Sequence, residues 1–224
     1  MPALLEVAPG LALTGHGAAW LPDHDTLVVA DVHLGYARAA RRRGGWLPAG
    51  EDAAASARRL VAAARAVDAG HVVVAGDLRH STRDVDDAEL AEVRRFLGLA
   101  SGETRLTILP GNHDRDAERH YAGLAALAAA PLAVGPFDVA HEPPAAEPAR
   151  WTICGHLHPS IELRDATGAG ARYPCALVGP RVVVLPAFSD WAGGVRAGRL
   201  RRSLFPGDWV EYPVSGGEVF GPMR

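Results

Sequence analysis

Three short apolar segments, each followed by a polar motif, constrain the fold of this chain most strongly. The segments are residues 27–30, which precede Asp31, residues 71–75, which precede Asp77, and residues 106–109, which precede Asn112. Segments of this length, rich in valine, leucine and isoleucine and bounded by turn residues, are typical of buried strands. Two amphipathic helical patterns separate them, at about residues 52–67 and 87–97.

The alternation of strands and helices predicts parallel strands joined by right-handed crossovers. Ligands of such sheets bind beyond the carboxyl ends of the strands, so the three polar motifs are predicted to meet at one edge. After residue 133 the pattern changes to short strands without a long helix, at residues 134–141, 151–154, 161–163, 172–178 and 181–185. The sequence therefore predicts an α/β fold, a two-sheet β-sandwich flanked by helices, as a single domain over residues 1–224.

Composition narrows the classes of protein that this chain can represent. We expect neither a leader nor a membrane span, because no apolar run approaches the roughly 20 residues that a span needs. Two cysteines, Cys154 and Cys175, do not form a disulfide framework, so a cytoplasmic protein is expected. The net charge of −3 is untypical of a basic nucleic-acid binder. Two divalent ions in one cleft would nevertheless make that cleft positive.

The strongest indication of chemistry comes from two blocks that each contain two potential metal ligands, Asp31-Val32-His33 and His156-Leu157-His158. Residues i and i+2 of a strand point to the same face, so each block is predicted to present two ligands together. Further oxygen and imidazole donors stand between the blocks at Asp77, Asn112 and His141. Such ligands suit hard to borderline divalent ions, and the whole set predicts a two-metal hydrolase.

The residues beside these ligands suggest catalytic roles. Asp77 has two free carboxylate oxygens and is suited to bridge two ions. His113 directly follows Asn112, so its side chain is expected to point away from the ion and over the substrate. There it could protonate the leaving oxygen or stabilise charge as a cation. His80 lies three residues after Asp77 and could orient His113, so both histidines are predicted to be catalytic.

Together these motifs resemble the calcineurin-like metallophosphoesterase superfamily over residues 31–158. The resemblance implies one metal held by Asp31, His33, Asp77 and His158, and a second held by Asp77, Asn112, His141 and His156. Asp77 would be shared, and the catalytic histidine maps to His113. Where the common family pattern has an aspartate this chain has His80, which is similar to the nuclease-like members.

A narrower resemblance extends to the end of the chain. Its segments are Asp31-Val32-His33-Leu34-Gly35, His141-Glu142-Pro143, Gly155-His156-Leu157-His158-Pro159, Tyr173-Pro174-Cys175, Leu185-Pro186-Ala187-Phe188-Ser189 and Gly193-Gly194. They are similar to the DNA ligase-associated metallophosphoesterases. This similarity implies an endonuclease with DNA as substrate, and a DNA ligase or helicase as repair partners. Two divalent ions are expected, manganese first, with iron and zinc as alternatives.

The expected function is therefore a two-metal phosphodiesterase that cuts DNA ends or flexible single strands. The main alternative is a small-molecule phosphoesterase acting on nucleotides or cyclic nucleotides, since the chain is too short for an obvious added DNA-binding domain. A metal-degenerate binding scaffold is a further alternative, which the intact ligand set opposes. Candidate DNA contacts are Arg41, Arg42 and Arg43, with Trp46 and Trp191 as candidate stacking residues. Each of these five also fits a solvated or packing role.

Overall fold

A computed structural model describes residues 3–47, 52–82 and 85–223. A seven-stranded sheet is built, in order, from β1 (Leu4–Ala8), β2 (Leu11–Thr14), β3 (Ala19–Leu21), β4 (Thr26–Val29), β5 (His71–Ala75), β6 (Arg105–Leu109) and β7 (Ala126–Leu127). Strands β1 to β4 pair antiparallel and β4 to β7 pair parallel. The three predicted parallel strands are thus confirmed as β4, β5 and β6. Strands β1–β3 were not predicted, because glycine turns interrupt their short apolar runs.

The helices are α1 (Tyr36–Arg42), α2 (Ala53–Ala66), α3 (Asp87–Ser101), α4 (Ala117–Tyr121) and α5 (Ala197–Leu200). Helices α2, α3 and α4 pack on the outer face of the first sheet, and α5 packs on the second sheet. Asp52 and Asp86 cap α2 and α3 by accepting the backbone N–H groups of Ala55 and Glu89, which would otherwise lack partners. Helix α3 extends past its predicted end at Leu97, because Ala100 is also buried against the sheet. Within the described ranges, no helix is both long and apolar enough for a membrane crossing.

A second sheet follows in the second half of the chain. Its strands are β8 (Leu132–Val134), β9 (Phe137–Val139), β10 (Trp151–Cys154), β11 (Pro159–Arg164), β12 (Gly170–Gly179), β13 (Val182–Val184), β14 (Val195–Arg196), β15 (Val210–Ser215) and β16 (Glu218–Val219). Their order is β14-β11-β12-β13-β10-β9-β8, with β15 paired to β12 and β16 paired to β15. Most pairs are antiparallel, as predicted, but β10 runs parallel to both of its neighbours.

The two sheets pack face to face through a continuous apolar layer. Val28, Val73 and Leu109 of the first sheet, and Ile153 and Val183 of the second, are fully buried in it. The predicted α/β two-sheet sandwich with flanking helices is therefore confirmed. This packing also brings the carboxyl end of β10 to the same edge as those of β4, β5 and β6.

Two glycines provide opposite tests of this packing. An added Cβ at Gly179 of β12 would lie 2.4 Å from the indole ring of Trp209, which is buried under the second sheet. We expect Gly179→Ala to lower the free energy of unfolding by about 1–3 kcal/mol, because the ring must move. Gly98 of α3 is exposed and has open space around it, so Gly98→Ala should raise that energy by up to about 1 kcal/mol. Denaturant unfolding of both variants measures the two effects. Equal free energies of unfolding for the two variants would contradict the packing described.

Candidate metal centre

The predicted ligands lie on turns that follow strands of both sheets. Asp31 follows β4, Asp77 follows β5, Asn112 follows β6 and the His156 block follows β10. His141 comes just after the end of β9. Because the carboxyl ends of these strands meet at one edge of the sandwich, the structure brings all seven predicted ligands together.

The two ligand blocks do not lie on strands, which corrects the expectation from sequence. Strand β4 ends at Val29 and β10 ends at Cys154, before either block begins. The blocks lie on tight turns, where their four ligand residues have positive φ angles: 58° at Asp31, 52° at His33, 69° at His156 and 45° at His158. The two side chains of each block therefore converge through left-handed backbone, not through strand alternation.

Left-handed backbone costs free energy at residues other than glycine, about 1–3 kcal/mol each, so other contacts must hold these turns. The backbone N–H of Asp31 donates to the carbonyl oxygen of Gly76, and that of His33 donates to the carbonyl oxygen of Asp77, at 3.1 and 2.9 Å. The N–H of His156 donates to Asp31 Oδ2 at 2.7 Å. The turns after β4, β5 and β10 are thus fastened to one another.

One group of ligand atoms comprises Asp31, His33 and His158. The Nε2 atoms of His33 and His158 lie only 3.1 Å apart, and His158 Nε2 lies 3.6 Å from Asp31 Oδ2. The carboxylate of Asp31 is fully buried and His33 is nearly so. Donor atoms bound to one metal at about 2.1 Å lie about 3 Å apart, so these separations suit one ion.

A second group surrounds the imidazole of His141. Its Nε2 lies 2.9 Å from Asn112 Oδ1, 3.1 Å from His156 Nδ1 and 3.4 Å from Asp77 Oδ1. The other ring nitrogen, Nδ1, donates to the carbonyl oxygen of Ala75 at 3.2 Å. That hydrogen bond places the proton of the neutral ring on Nδ1, which leaves the Nε2 lone pair free for a metal.

Asp77 lies between the two groups. Its Oδ1 faces His141, while its Oδ2 lies 4.0 Å from His33 Nε2. Only 3 % of its side chain is exposed, so few positions are open to either oxygen besides those that face the imidazoles. One carboxylate that faces both groups is the arrangement that a bridging ligand requires.

Two observations test whether these residues fit divalent ions. Ring nitrogens 3.1 Å apart, as in His33 and His158, repel through their lone pairs unless a proton or a cation lies between them. Asp31 Oδ1 is buried and, within the described residues, accepts no hydrogen bond. A bound cation satisfies both demands, and the nitrogen and oxygen donors suit first-row transition metals. The residues therefore fit metal ions.

The pKa values of the two imidazoles in the first group shift in opposite directions. Burial, together with the imidazoles of His158, His113, His80 and His141, lowers the pKa of His33 to about 2. His33 is consequently neutral, as a metal ligand must be. Burial also acts to lower the pKa of His158, but the Asp31 and Asp77 carboxylates outweigh it and raise that pKa.

His113 lies at the open side of these groups, with 21 % of its side chain exposed. Its backbone N–H donates to Asp77 Oδ1 at 2.9 Å, and its Nε2 lies 3.8 Å from Asp77 Oδ2. We expected this side chain to point away from the ion. Its ring instead lies close to the predicted ligand Asp77. His113 Nδ1 contacts the backbone carbonyl oxygen of His80. The His80 imidazole packs on Tyr36, and its centroid lies 5.7 Å from that of the His113 ring. His80 therefore lies against His113 with both its main chain and its ring.

Asp114 is a positioning residue that had no predicted role. Its buried carboxylate accepts the backbone N–H groups of Leu78, Arg79 and Gly111 and the hydroxyl of Tyr121, at 2.8–3.2 Å. It therefore joins the turn that carries Asp77 to the turn that carries Asn112. The available sequence signal was an acid directly after Gly111-Asn112-His113.

Three motif glycines leave room for ligand side chains. A Cβ would lie 1.9 Å from His141 Nδ1 at Gly76, 2.3 Å from Asp77 Oδ1 at Gly111, and 2.4 Å from Asp31 Oδ2 at Gly155. No side chain fits at these distances. Each glycine therefore allows a ligand from a different turn to pass against the backbone.

Two cavities flank the ligand groups. A cavity of about 750 Å³ reaches His158, another of about 380 Å³ reaches His33, and Ser189 and Trp191 line both. Among the candidate DNA contacts, Arg41 lines the smaller cavity and Arg42 pairs with Asp86 at 2.6 Å. Arg43 caps the end of α1, and Trp46 is 85 % exposed. Trp191, the other candidate stacking residue, borders both cavities beside the ligands.

Comparison with known proteins agrees with this geometry. The family model for the calcineurin-like phosphoesterase matches residues 24–141, more than half of the chain. No curated protein sequence matches the chain. The crystal structure of a nuclease from Pseudomonas putida, nuclease MPE, superposes with a TM-score of 0.73 at 25 % identity, covering 98 % of each chain. The resemblance seen in the motifs is thereby confirmed, and this chain belongs to the calcineurin-like phosphoesterase family of metal-dependent hydrolases.

Proposed function

We propose that this protein is a two-metal phosphodiesterase that acts as a nuclease on DNA ends or flexible single strands. One observation carries the proposal: the Asp77 carboxylate faces two separate groups of ligand atoms, at a site flanked by two cavities. The likeness to a protein described as a nuclease, over nearly the whole of both chains, supports this substrate class.

The proposed ligands of one ion are Asp31, His33, Asp77 and His158. Those of the other are Asp77, Asn112, His141 and His156. Manganese is the first choice, with iron and zinc as alternatives, because the donors are mixed nitrogen and oxygen. When bound, the ions would polarise the phosphate and activate the attacking water.

His113 is proposed as the proton donor to the leaving oxygen. Its Nδ1 keeps a proton against the carbonyl oxygen of His80, so Nε2 is the atom that exchanges a proton at the cleft. The His113 N–H bond to Asp77 Oδ1 fixes the backbone that carries this ring. His80 is a positioning residue in this scheme, and Asp114 braces the turn from which His113 extends.

Cavities on both sides of the ligands favour a chain-like substrate. Small-molecule sites are usually single enclosed pockets, whereas a polynucleotide continues past its scissile phosphate in one or both directions. Trp191 lies where the two cavities meet, and an indole there could stack on an unpaired base. On the basis of the resemblance to the DNA ligase-associated group, we further propose that the protein takes part in DNA repair in the cytoplasm. A DNA ligase or helicase would be its partner.

A small-molecule phosphoesterase is the second candidate, because the larger cavity alone could hold a nucleotide. A manganese-dependent activity panel separates the two. It should compare a nitrophenyl diester, a nitrophenyl monoester, mononucleotides, cyclic nucleotides, and single- and double-stranded DNA. The nuclease proposal expects diester and DNA cleavage; turnover of nucleotides with no cleavage of any DNA would replace it with the alternative.

Asp77→Asn tests the shared ligand. Because both coordination spheres include this residue, the variant should lose both ions and nearly all activity. Asp208→Asn, a change at an exposed position on the outer side of the second sheet, is the matched control and should keep both ions and normal activity. Metal analysis of the purified proteins is the measurement. Two ions and near-normal activity in Asp77→Asn would remove the bridging role.

His113→Ala tests the proton donor apart from metal binding. The variant should keep its metals and lose about 10²–10⁴-fold in rate, the usual contribution of a positioned acid. The loss should be smallest for a nitrophenolate leaving group, which needs little protonation. His120→Ala, on α4 outside the ligand groups, should retain activity. An equal loss for good and poor leaving groups would instead indicate that His113 stabilises charge.

A further inference from the structure

A second arginine-rich segment lies in the last third of the chain. Residues 196–202 contain four arginines, at 196, 199, 201 and 202. Two apolar residues of the segment, Ala197 and Leu200, are buried in the apolar cluster on the outer side of the second sheet. Helix α5 is thereby held in place while Arg199 and Arg202 remain exposed.

Only some of these arginines have acidic partners. Arg196 pairs with Glu162, and Arg201 pairs with Glu211 at 2.7 Å. Across the described parts of the chain, no carboxylate lies within ion-pair distance of Arg199 or Arg202. These two guanidinium groups therefore carry positive charge that the fold does not neutralise.

Arg199 and Arg202 line a cavity of about 740 Å³ together with Arg172 and Arg196. Its two acidic residues, Glu162 and Glu211, are the partners of Arg196 and Arg201. Positive charge is consequently in excess here, although the whole chain has a net charge of −3. Such an excess favours a negatively charged partner.

This cavity adjoins the larger cavity beside the metal centre. The two share Ser160, Arg172 and Gly194, and the larger cavity also reaches His158. The backbone N–H of Val195 donates to the carbonyl oxygen of His158 at 2.9 Å, so the segment is fastened to the ligand turn. A Cβ at Gly194 would lie 2.6 Å from Ser160 Cβ, which shows how closely the two strands approach.

We propose that Arg172, Arg199 and Arg202, here called the α5 basic surface, bind the phosphate backbone of the same DNA strand that is cut. The inference rests on the proposed nuclease function and adds the path that the strand follows away from the metal centre. The strand would pass from His158 through the larger cavity to this surface. The adjacency of the two cavities and the unneutralised charge favour this occupant over an unrelated acidic protein.

The test is a double variant, Arg199→Ala with Arg202→Ala, in a His113→Ala background that cannot cut efficiently. Binding of single-stranded oligonucleotides is measured with manganese across a salt series. Each lost contact with a single strand should lower the slope of log affinity against log salt by about 0.7, so about 1.4 for both. If the affinities converge near 1 M salt, binding at 0.1 M should be about 25-fold weaker.

Two controls separate charge from structure. The charge-conserving double variant, Arg199→Lys with Arg202→Lys, should keep the original slope. Arg65→Ala with Arg105→Ala removes the same charge at the opposite edge of the first sheet, where β6 begins, and should also leave the slope unchanged.

Cleavage by the otherwise unaltered enzyme gives a second readout. The alanine double variant should turn over a nitrophenyl diester and the shortest oligonucleotides at the normal rate, and should cut longer strands more slowly. An unchanged slope, or an equal loss for the small diester, overturns the α5 basic surface and leaves the nuclease function intact. If the unaltered enzyme neither binds nor cuts DNA, the nuclease proposal fails and this inference fails with it.

Discussion

The site depends on a single buried carboxylate. Asp77 stands on left-handed backbone at the end of β5, with a φ of 49°. Its Oδ1 accepts the backbone N–H of His113, and its backbone carbonyl oxygen accepts that of His33. Both neighbouring turns are therefore positioned on the residue whose carboxylate oxygens face the two ligand groups. A shift of Asp77 would displace the turns that carry His33 and His113.

The fold supplies what that residue requires. Parallel strands β4, β5 and β6 bring three turns to one edge, and β10 adds a fourth because it too runs parallel to its neighbours. Residues at successive strand ends are close only if their turns are braced, and Asp114 performs this task between the second and third turns. The apolar layer between the sheets then keeps the fourth turn facing the other three.

The distribution of charge explains how a mildly acidic chain could act on a polyanion. Arginines lie near both cavities, with Arg41 on one side of the centre and the α5 basic surface on the other. Many other arginines are paired, as Arg42 is with Asp86 and Arg201 with Glu211. Local placement of unpaired charge, with the proposed metals between, can attract phosphate where the net charge of −3 does not.

Local sequence was sufficient for strands β4, β5 and β6, for helices α2 and α3, and for the identity of the residues at the strand ends. The apolar period of β4, β5 and β6, with the capping aspartates of α2 and α3, is set by near neighbours in the chain. The same signals predicted the sandwich and the set of residues gathered at its edge. Spacing alone, however, was misleading for Asp31 and His33, which converge on a left-handed turn and not on a strand.

Tertiary structure decided the geometry of the site, because that geometry depends on contacts between residues far apart in the chain. His33 and His158 are separated by 125 positions, yet their ring nitrogens lie 3.1 Å apart. The contact between His113 and the His80 main chain, and the adjacency of the α5 basic surface to the site, likewise arise only when distant turns pack together. Periodicity reports on neighbours a few residues away, whereas the approach of these groups is fixed by how two sheets pack.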